Sequence, residues 1–190
     1  MKNIVIFASG AGTNAQQIIH YFRHSDKAKV RLIAGNNSKA GVWAIAAGEN
    51  IPTVLIDREK FYHSDEYVKL LQSVPADLIV LAGFLWKVPE NLLLAFPDKI
   101  INIHPALLPK YGGRGMYGHH VHAAVIASGD TETGMTIHYV NEKYDEGKII
   151  LQKSCPVEAG DTPETLAHKV QQLEHRWFPL VVASLLDSGG

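Results

Sequence analysis

Two polar side chains interrupt the apolar run Ile101-Asn102-Ile103-His104-Pro105. Side chains alternate faces along a strand, so Asn102 and His104 project together while Ile101 and Ile103 point the other way. An amide can donate an N–H to a developing oxyanion, and an imidazole can move a proton near neutral pH. Taken alone, the pair reads equally well as a polar strand end satisfied by local backbone bonds. Asp145, in the turn Asp145-Glu146-Gly147, offers a carboxylate, although taken alone it reads better as a solvated turn residue.

A second cluster is the glycine loop from Ser9 through Gly10, Ala11, Gly12 and Thr13 to Asn14, which follows an apolar strand and opens a helix. Free N–H groups at such a helix start can hold a phosphate, or the loop can be a tight turn with no ligand. Gly10, Gly12 and Ala15 approach the dinucleotide-binding pattern, which also asks for an acidic residue at the end of the second strand. That strand runs instead into Gly35-Asn36-Asn37-Ser38-Lys39, so a single phosphate suits the loop better than a nicotinamide cofactor. His119, His120 and His122 do not fall on one helix face and bring no carboxylate motif, so no metal is expected. Cys155, beside Pro156, reads as a buried, inert thiol.

The elements that must carry these groups follow from periodicity. Strands are expected at 3–8, 30–34, 53–56, 77–82, 99–103, 133–139 and 148–154. Helices are expected at 14–23, 42–49, 64–73 (capped by Ser64), 119–127 and from Thr162 onward, with Pro179 kinking or breaking the last. The segment 110–118, with four glycines, must be a loop. Alternating strands and helices imply an α/β, Rossmann-like fold, a mostly parallel twisted sheet with helices on both faces. No linker or repeat divides residues 1–190, which reads as a single domain.

Composition narrows the classes. The 190 residues are 46% hydrophobic and 19% charged with a net charge of −1, which suits a globular chain and argues against a dedicated nucleic-acid binder. One cysteine excludes an internal disulfide framework and suits a reducing compartment. Apolar runs are too short to span a bilayer, and the chain opens directly on a strand pattern, so a cytoplasmic location without a membrane partner is expected.

The segments Ser9 to Asn14, Leu81 to Phe84, Ile101 to Pro109 and Asp145 to Gly147 occur in this order in the glycinamide ribonucleotide (GAR) formyltransferases, which the chain resembles over essentially its whole length. A closing helix with Gln172 to His175 extends the resemblance. It implies the formyltransferase fold and direct transfer of a formyl group from N10 of 10-formyltetrahydrofolate, the co-substrate, to the GAR amine in purine synthesis. By that resemblance Asn102 and His104 bind the oxyanion, His104 acts as acid, and Asp145 orients the imidazole, favours its protonated form and relays protons. Gly12, Thr13 and Asn14 hold the phosphate, and Glu174 the ribose. Phe84, Leu85, Trp86, Lys87, Val88, Val140, Asn141 and Glu142 enclose the folate ring.

Small molecules are thus the expected partners, and the protein is expected to be a monomer or homodimer. The chain departs from the family pattern at Trp86, a position that is often Arg. It departs again in its long glycine-rich loop 112–118, expected to be a mobile lid. A family arginine near residue 64 lacks a counterpart, which leaves Lys87 as a candidate for the folate's glutamate tail. Alternatives are a formyltetrahydrofolate deformylase, which usually has an additional N-terminal domain, and a methionyl-tRNA formyltransferase, which usually has a C-terminal one. A sugar-nucleotide formyltransferase, a non-catalytic nucleotide-binding module and a dinucleotide oxidoreductase complete the set.

Overall fold

The computed structural model describes residues 1–188. Seven strands alternate with helices: β1 (Lys2–Phe7), α1 (Thr13–Phe22), β2 (Ala28–Gly35), α2 (Val42–Gly48), β3 (Thr53–Leu55), α3 (Arg58–His63) and α4 (Glu66–Ser73). Then come β4 (Leu78–Leu81), α5 (Glu90–Ala95), β5 (Ile100–His104), α6 (His119–Ser128), β6 (Glu132–Tyr139), β7 (Ile149–Pro156) and α7 (Pro163–Ser188). They form one sheet in the order β3-β2-β1-β4-β5-β6-β7. The first five strands are parallel; β6 runs antiparallel to β5, and the short connection holding Asp145 to Gly147 returns β7 antiparallel to β6.

Continuous apolar strands are buried on both faces. In β1, Ile4 and Ile6 face a layer built from α1, α2 and α7, with Ile18, Val42 and Phe178 in its core. Val5 and Phe7 face the opposite layer, where Phe61, Leu71 and Leu92 come from α3, α4 and α5. The sheet's strand order reverses between β1 and β4, and open α/β sheets place ligands at the carboxyl ends of strands on either side of such a switch. The glycine loop follows β1 and the segment 82–88 follows β4, so both flank that crevice. They are tied together: Ser9 N–H donates to the Gly83 carbonyl at 3.0 Å, and Leu85 N–H donates to Ser9 Oγ at 3.0 Å.

Three local features differ from the sequence reading. Helices α3 and α5, of six residues each, are too short to show a helical period and are not among the helices expected from the sequence. Ser64 ends α3 rather than capping a helix from 64; its hydroxyl donates to the Lys60 carbonyl at 2.8 Å and accepts from Glu66 N–H at 3.2 Å as α4 begins. Pro179 lies inside α7, which runs on to Ser188, so of the two expected outcomes the break does not occur. Phe178 and Val182 are fully buried on either side of it, and that packing outweighs the hydrogen bond the proline removes.

Candidate active site

Helix α7 crosses the start of α1 and carries a buried stripe at four-residue spacing: Leu166, Val170, Glu174, Phe178 and Val182. Glu174 is the one acid in that stripe, 9% exposed, and accepts a hydrogen bond from Asn14 Nδ2 at 2.8 Å. Burial pushes its carboxyl up to about 7, against the smaller pull of Asn14. Gln171, one turn earlier, donates to Thr13 Oγ1 at 3.1 Å. Helix α1 has no side-chain cap, so its first amides remain available to an anion. Gly12 adopts φ +81, and a Cβ there would lie 2.7 Å from Val42 Cβ, so its glycine is demanded by backbone and packing before any ligand is considered.

Strand β5 delivers the amide and the imidazole as its alternation implies. Ile101 and Ile103 point into the core with exposures of 0% and 6%. Register sets Asn102 opposite His138 and His104 opposite Thr136 on β6. Thr136 Oγ1 accepts from Leu108 N–H at 3.0 Å and donates to the Ala106 carbonyl at 2.7 Å, shaping the turn after β5. Asp145 arrives from the β6–β7 connection, where Gly147 approaches the Tyr139 carbonyl so closely that a side chain has no room.

The Asp145 carboxylate lies between two imidazoles. Its Oδ2 is 3.6 Å from His104 Nδ1, and its Oδ1 is 3.7 Å from His138 Nε2. Gly113 N–H donates to Asp145 Oδ2 at 2.9 Å, which ties the glycine-rich loop to the carboxylate. Burial works against the charge of Asp145, but His138, His104 and the Gly113 amide outweigh it and hold the carboxyl below its ordinary range. For His104 burial is the largest influence and lowers the imidazole's pKa, in spite of Asp145 and the Tyr111 carbonyl. Asp145 thus favours the protonated ring, as the resemblance implies, while burial pulls more strongly the other way.

Sequence reasoning missed His138. Its Nδ1 donates to the Tyr139 carbonyl at 2.8 Å, which leaves Nε2, 3.1 Å from Asn102 Nδ2, to accept from the amide. That bond aims one Asn102 N–H at His138 and leaves the other for a ligand. The signal was present: Thr136 and His138 alternate with Met135 and Ile137, the same pattern that marks Asn102 and His104.

Two cavities meet at these groups. The larger, about 710 Å³, holds Asn14, Glu174, Gln171 and His104, with Arg114 and Tyr117 of the glycine-rich loop on its rim. The smaller, about 70 Å³, is lined by Trp86, Lys87, Val88, Val140 and Asn141. Phe84, Asn102, Tyr144 and Asp145 line both. Leu85 faces the larger cavity and is 51% exposed. Glu142 is exposed and lines neither cavity, so the structure does not bring it to the ring site. Arg58, also missed, stacks over the Trp86 ring at 5.6 Å.

His122 lines the larger cavity, its pKa lowered to about 4 by burial and, less strongly, by His119 and His104. Among the described residues no cluster of three or more His, Cys, Asp or Glu could hold a metal ion, and no helix is long and apolar enough to cross a membrane. Cys155 is half-buried, and burial raises its thiol pKa.

This sheet order, with an amide, an imidazole and a carboxylate meeting at its crevice, fits a known class. The family described as formyl transferase matches residues 2–182, and the chain belongs to it. It is 33% identical to a phosphoribosylglycinamide formyltransferase of Bacillus subtilis, over 98% of this chain and 95% of that protein. It is 40% identical to a chloroplastic phosphoribosylglycinamide formyltransferase of Arabidopsis thaliana, over 98% of this chain but only 66% of the plant protein's length. The crystal structure of a phosphoribosylglycinamide formyltransferase from Bacillus halodurans superposes with a TM-score of 0.88 at 37% identity, covering 100% of this chain and 97% of that one. Within the family, this chain groups with the phosphoribosylglycinamide formyltransferases.

Proposed function

We propose that this chain transfers the formyl group of 10-formyltetrahydrofolate directly to the amine of phosphoribosylglycinamide, the compound also called GAR. The observation that carries the reading is the wall shared by the two cavities, in which Asn102 and Asp145 face both. Two substrates bound on either side would present an amine and a formamide to the same groups. The larger cavity suits a ribose phosphate, with Asn14 at the uncapped start of α1 for the phosphate and Glu174 for hydroxyls, while Gly12 and Thr13 do not line it. The smaller is walled by Phe84, Trp86, Val88 and Val140, which suit the edge of a flat ring.

In the reaction the amine nitrogen attacks the formyl carbon, and its oxygen becomes an oxyanion. The free N–H of Asn102 is placed to donate to that oxygen. A neutral His104 accepts the proton shed by the attacking amine at Nδ1, beside Asp145. The imidazolium then supports the oxyanion and passes the proton to N10 as the C–N10 bond breaks, leaving formylated amine and tetrahydrofolate. No covalent enzyme intermediate is needed.

The folate tail is anionic; Lys87 and Lys143 line the smaller cavity, and Arg58 lies over the ring of Trp86, which lines it too. We assign Arg58 to the tail, since its stacked guanidinium is held in place by the ring.

The deciding experiment follows consumption of 10-formyltetrahydrofolate with and without GAR, and detects the formylated amide. Consumption that requires GAR supports transfer. Equal consumption without it makes the chain a deformylase, and binding of GAR without turnover makes it a nucleotide-binding module.

A further inference from the structure

Two neighbours of the His104 ring hold a left-handed backbone that non-glycine residues seldom adopt: Asp145 at φ +56 and Tyr111 at φ +55. Such a conformation in a bulky residue persists only where the surroundings enforce it. The Tyr111 carbonyl lies 2.7 Å from His104 Nε2. A carbonyl only accepts, so Nε2 carries the hydrogen, and Nδ1 is left as the nitrogen that gains or loses a proton beside Asp145.

The other end of Tyr111 explains why that carbonyl stays in place. Its hydroxyl donates to Asp130 Oδ2 at 2.8 Å, and the Ser128 hydroxyl lies 2.5 Å away at the end of α6. Lys110 Nζ pairs with the same Asp130 oxygen at 3.0 Å. Two residues on, the Gly113 amide holds Asp145. The start of the glycine-rich loop thus grips both the imidazole and the carboxylate, and its fixed point is the phenol.

We propose that Tyr111 is a positioning residue which sets the tautomer of His104: its phenol, anchored on Asp130 and Ser128, presses its own carbonyl against Nε2 and confines proton exchange to Nδ1. The proposal rests on the reading of His104 as the proton-moving group.

The test compares the full chain with Tyr111→Phe, Asp130→Ala and Asp130→Asn. Nitrogen-15 NMR of the His104 ring, without substrate, reports which nitrogen carries the hydrogen. The unmodified protein should show the Nε2-protonated form. Tyr111→Phe and Asp130→Ala should both show mixed tautomers, with kcat lowered about tenfold and KM for either substrate within about twofold. Asp130→Asn keeps an acceptor for the phenol and should retain the single tautomer and the full rate. Combining Tyr111→Phe with Asp130→Ala should cost no more than either alone.

A His104 tautomer unmoved in both Tyr111→Phe and Asp130→Ala overturns the proposal, whether or not kcat falls. So does a wild-type spectrum with hydrogen on Nδ1. Because the tautomer is read without substrate, this result stands apart from whether GAR is formylated. Absence of formyl transfer by the unmodified protein would sink the proposed function instead.

Discussion

Asp145 Oδ2 stands 3.6 Å from His104 Nδ1, too far for a hydrogen bond and close enough for its charge to be felt through a buried site. With Nε2 bonded to the Tyr111 carbonyl, a neutral imidazole presents its Nδ1 lone pair toward that carboxylate. A proton arriving at Nδ1 turns this repulsion into attraction, so Asp145 acts when the site is charged rather than before. Asp145→Asn should therefore lower kcat about 10²-fold or more, with KM for GAR little changed. Asn102→Ala should lower kcat about 10²–10³-fold. Both are checked by steady-state kinetics alongside thermal unfolding. A large fall in unfolding temperature with turnover retained would make these residues structural.

Glu174 supplies a pH signature of its own. Its carboxyl is raised from 4.5 to about 7 by burial, so the folded protein binds a proton that the unfolded chain releases. The sign follows: stability is greatest below the unfolded value and falls as pH rises from about 4.5 through about 7, where the buried group must ionise. Glu174→Gln keeps an acceptor for Asn14 and has nothing to ionise. Thermal unfolding between pH 4.5 and 8 should flatten in this variant, which should be the more stable protein above pH 7. Parallel curves for the two proteins would rule out a raised carboxyl.

The two glycines of the first loop should part company. Gly12→Ala meets both a left-handed backbone and the Val42 side chain at 2.7 Å, and should destabilise the fold by about 2 kcal/mol or more. Gly10 has nothing within 4 Å of a Cβ, so Gly10→Ala should leave unfolding within about 0.5 kcal/mol. Denaturant titration of both variants decides it. Equal losses would mean that the packing around Gly12 is not the constraint.

Arg58→Ala should raise KM for 10-formyltetrahydrofolate about threefold to tenfold, with kcat and KM for GAR unchanged, since an exposed cation over Trp86 contributes modestly. Trp86→Ala should weaken the same substrate by removing both the ring wall and the platform. If Lys87→Ala has the effect and Arg58→Ala does not, the tail is held by Lys87.

What could be read without coordinates is what depends on local periodicity. Strand alternation put Asn102 and His104 on one face because successive side chains must oppose each other, and β5 obeys it. The run of strands and helices implied a mostly parallel sheet, because parallel strands need crossovers. The segment order supported the family resemblance, including Glu174 on α7. Pairing across the sheet has no local signature, and tertiary structure alone decided it. Antiparallel β6 set His138 beside Asn102, although 36 residues separate them in sequence. The left-handed backbone at Tyr111 and Asp145 brought the carbonyl and the carboxylate to His104, and α3, too short to declare itself, carried Arg58 to Trp86. Burial was equally invisible in the sequence: Asp145 favours a charged imidazole, but the enclosure of His104 opposes that charge more strongly and lowers its pKa.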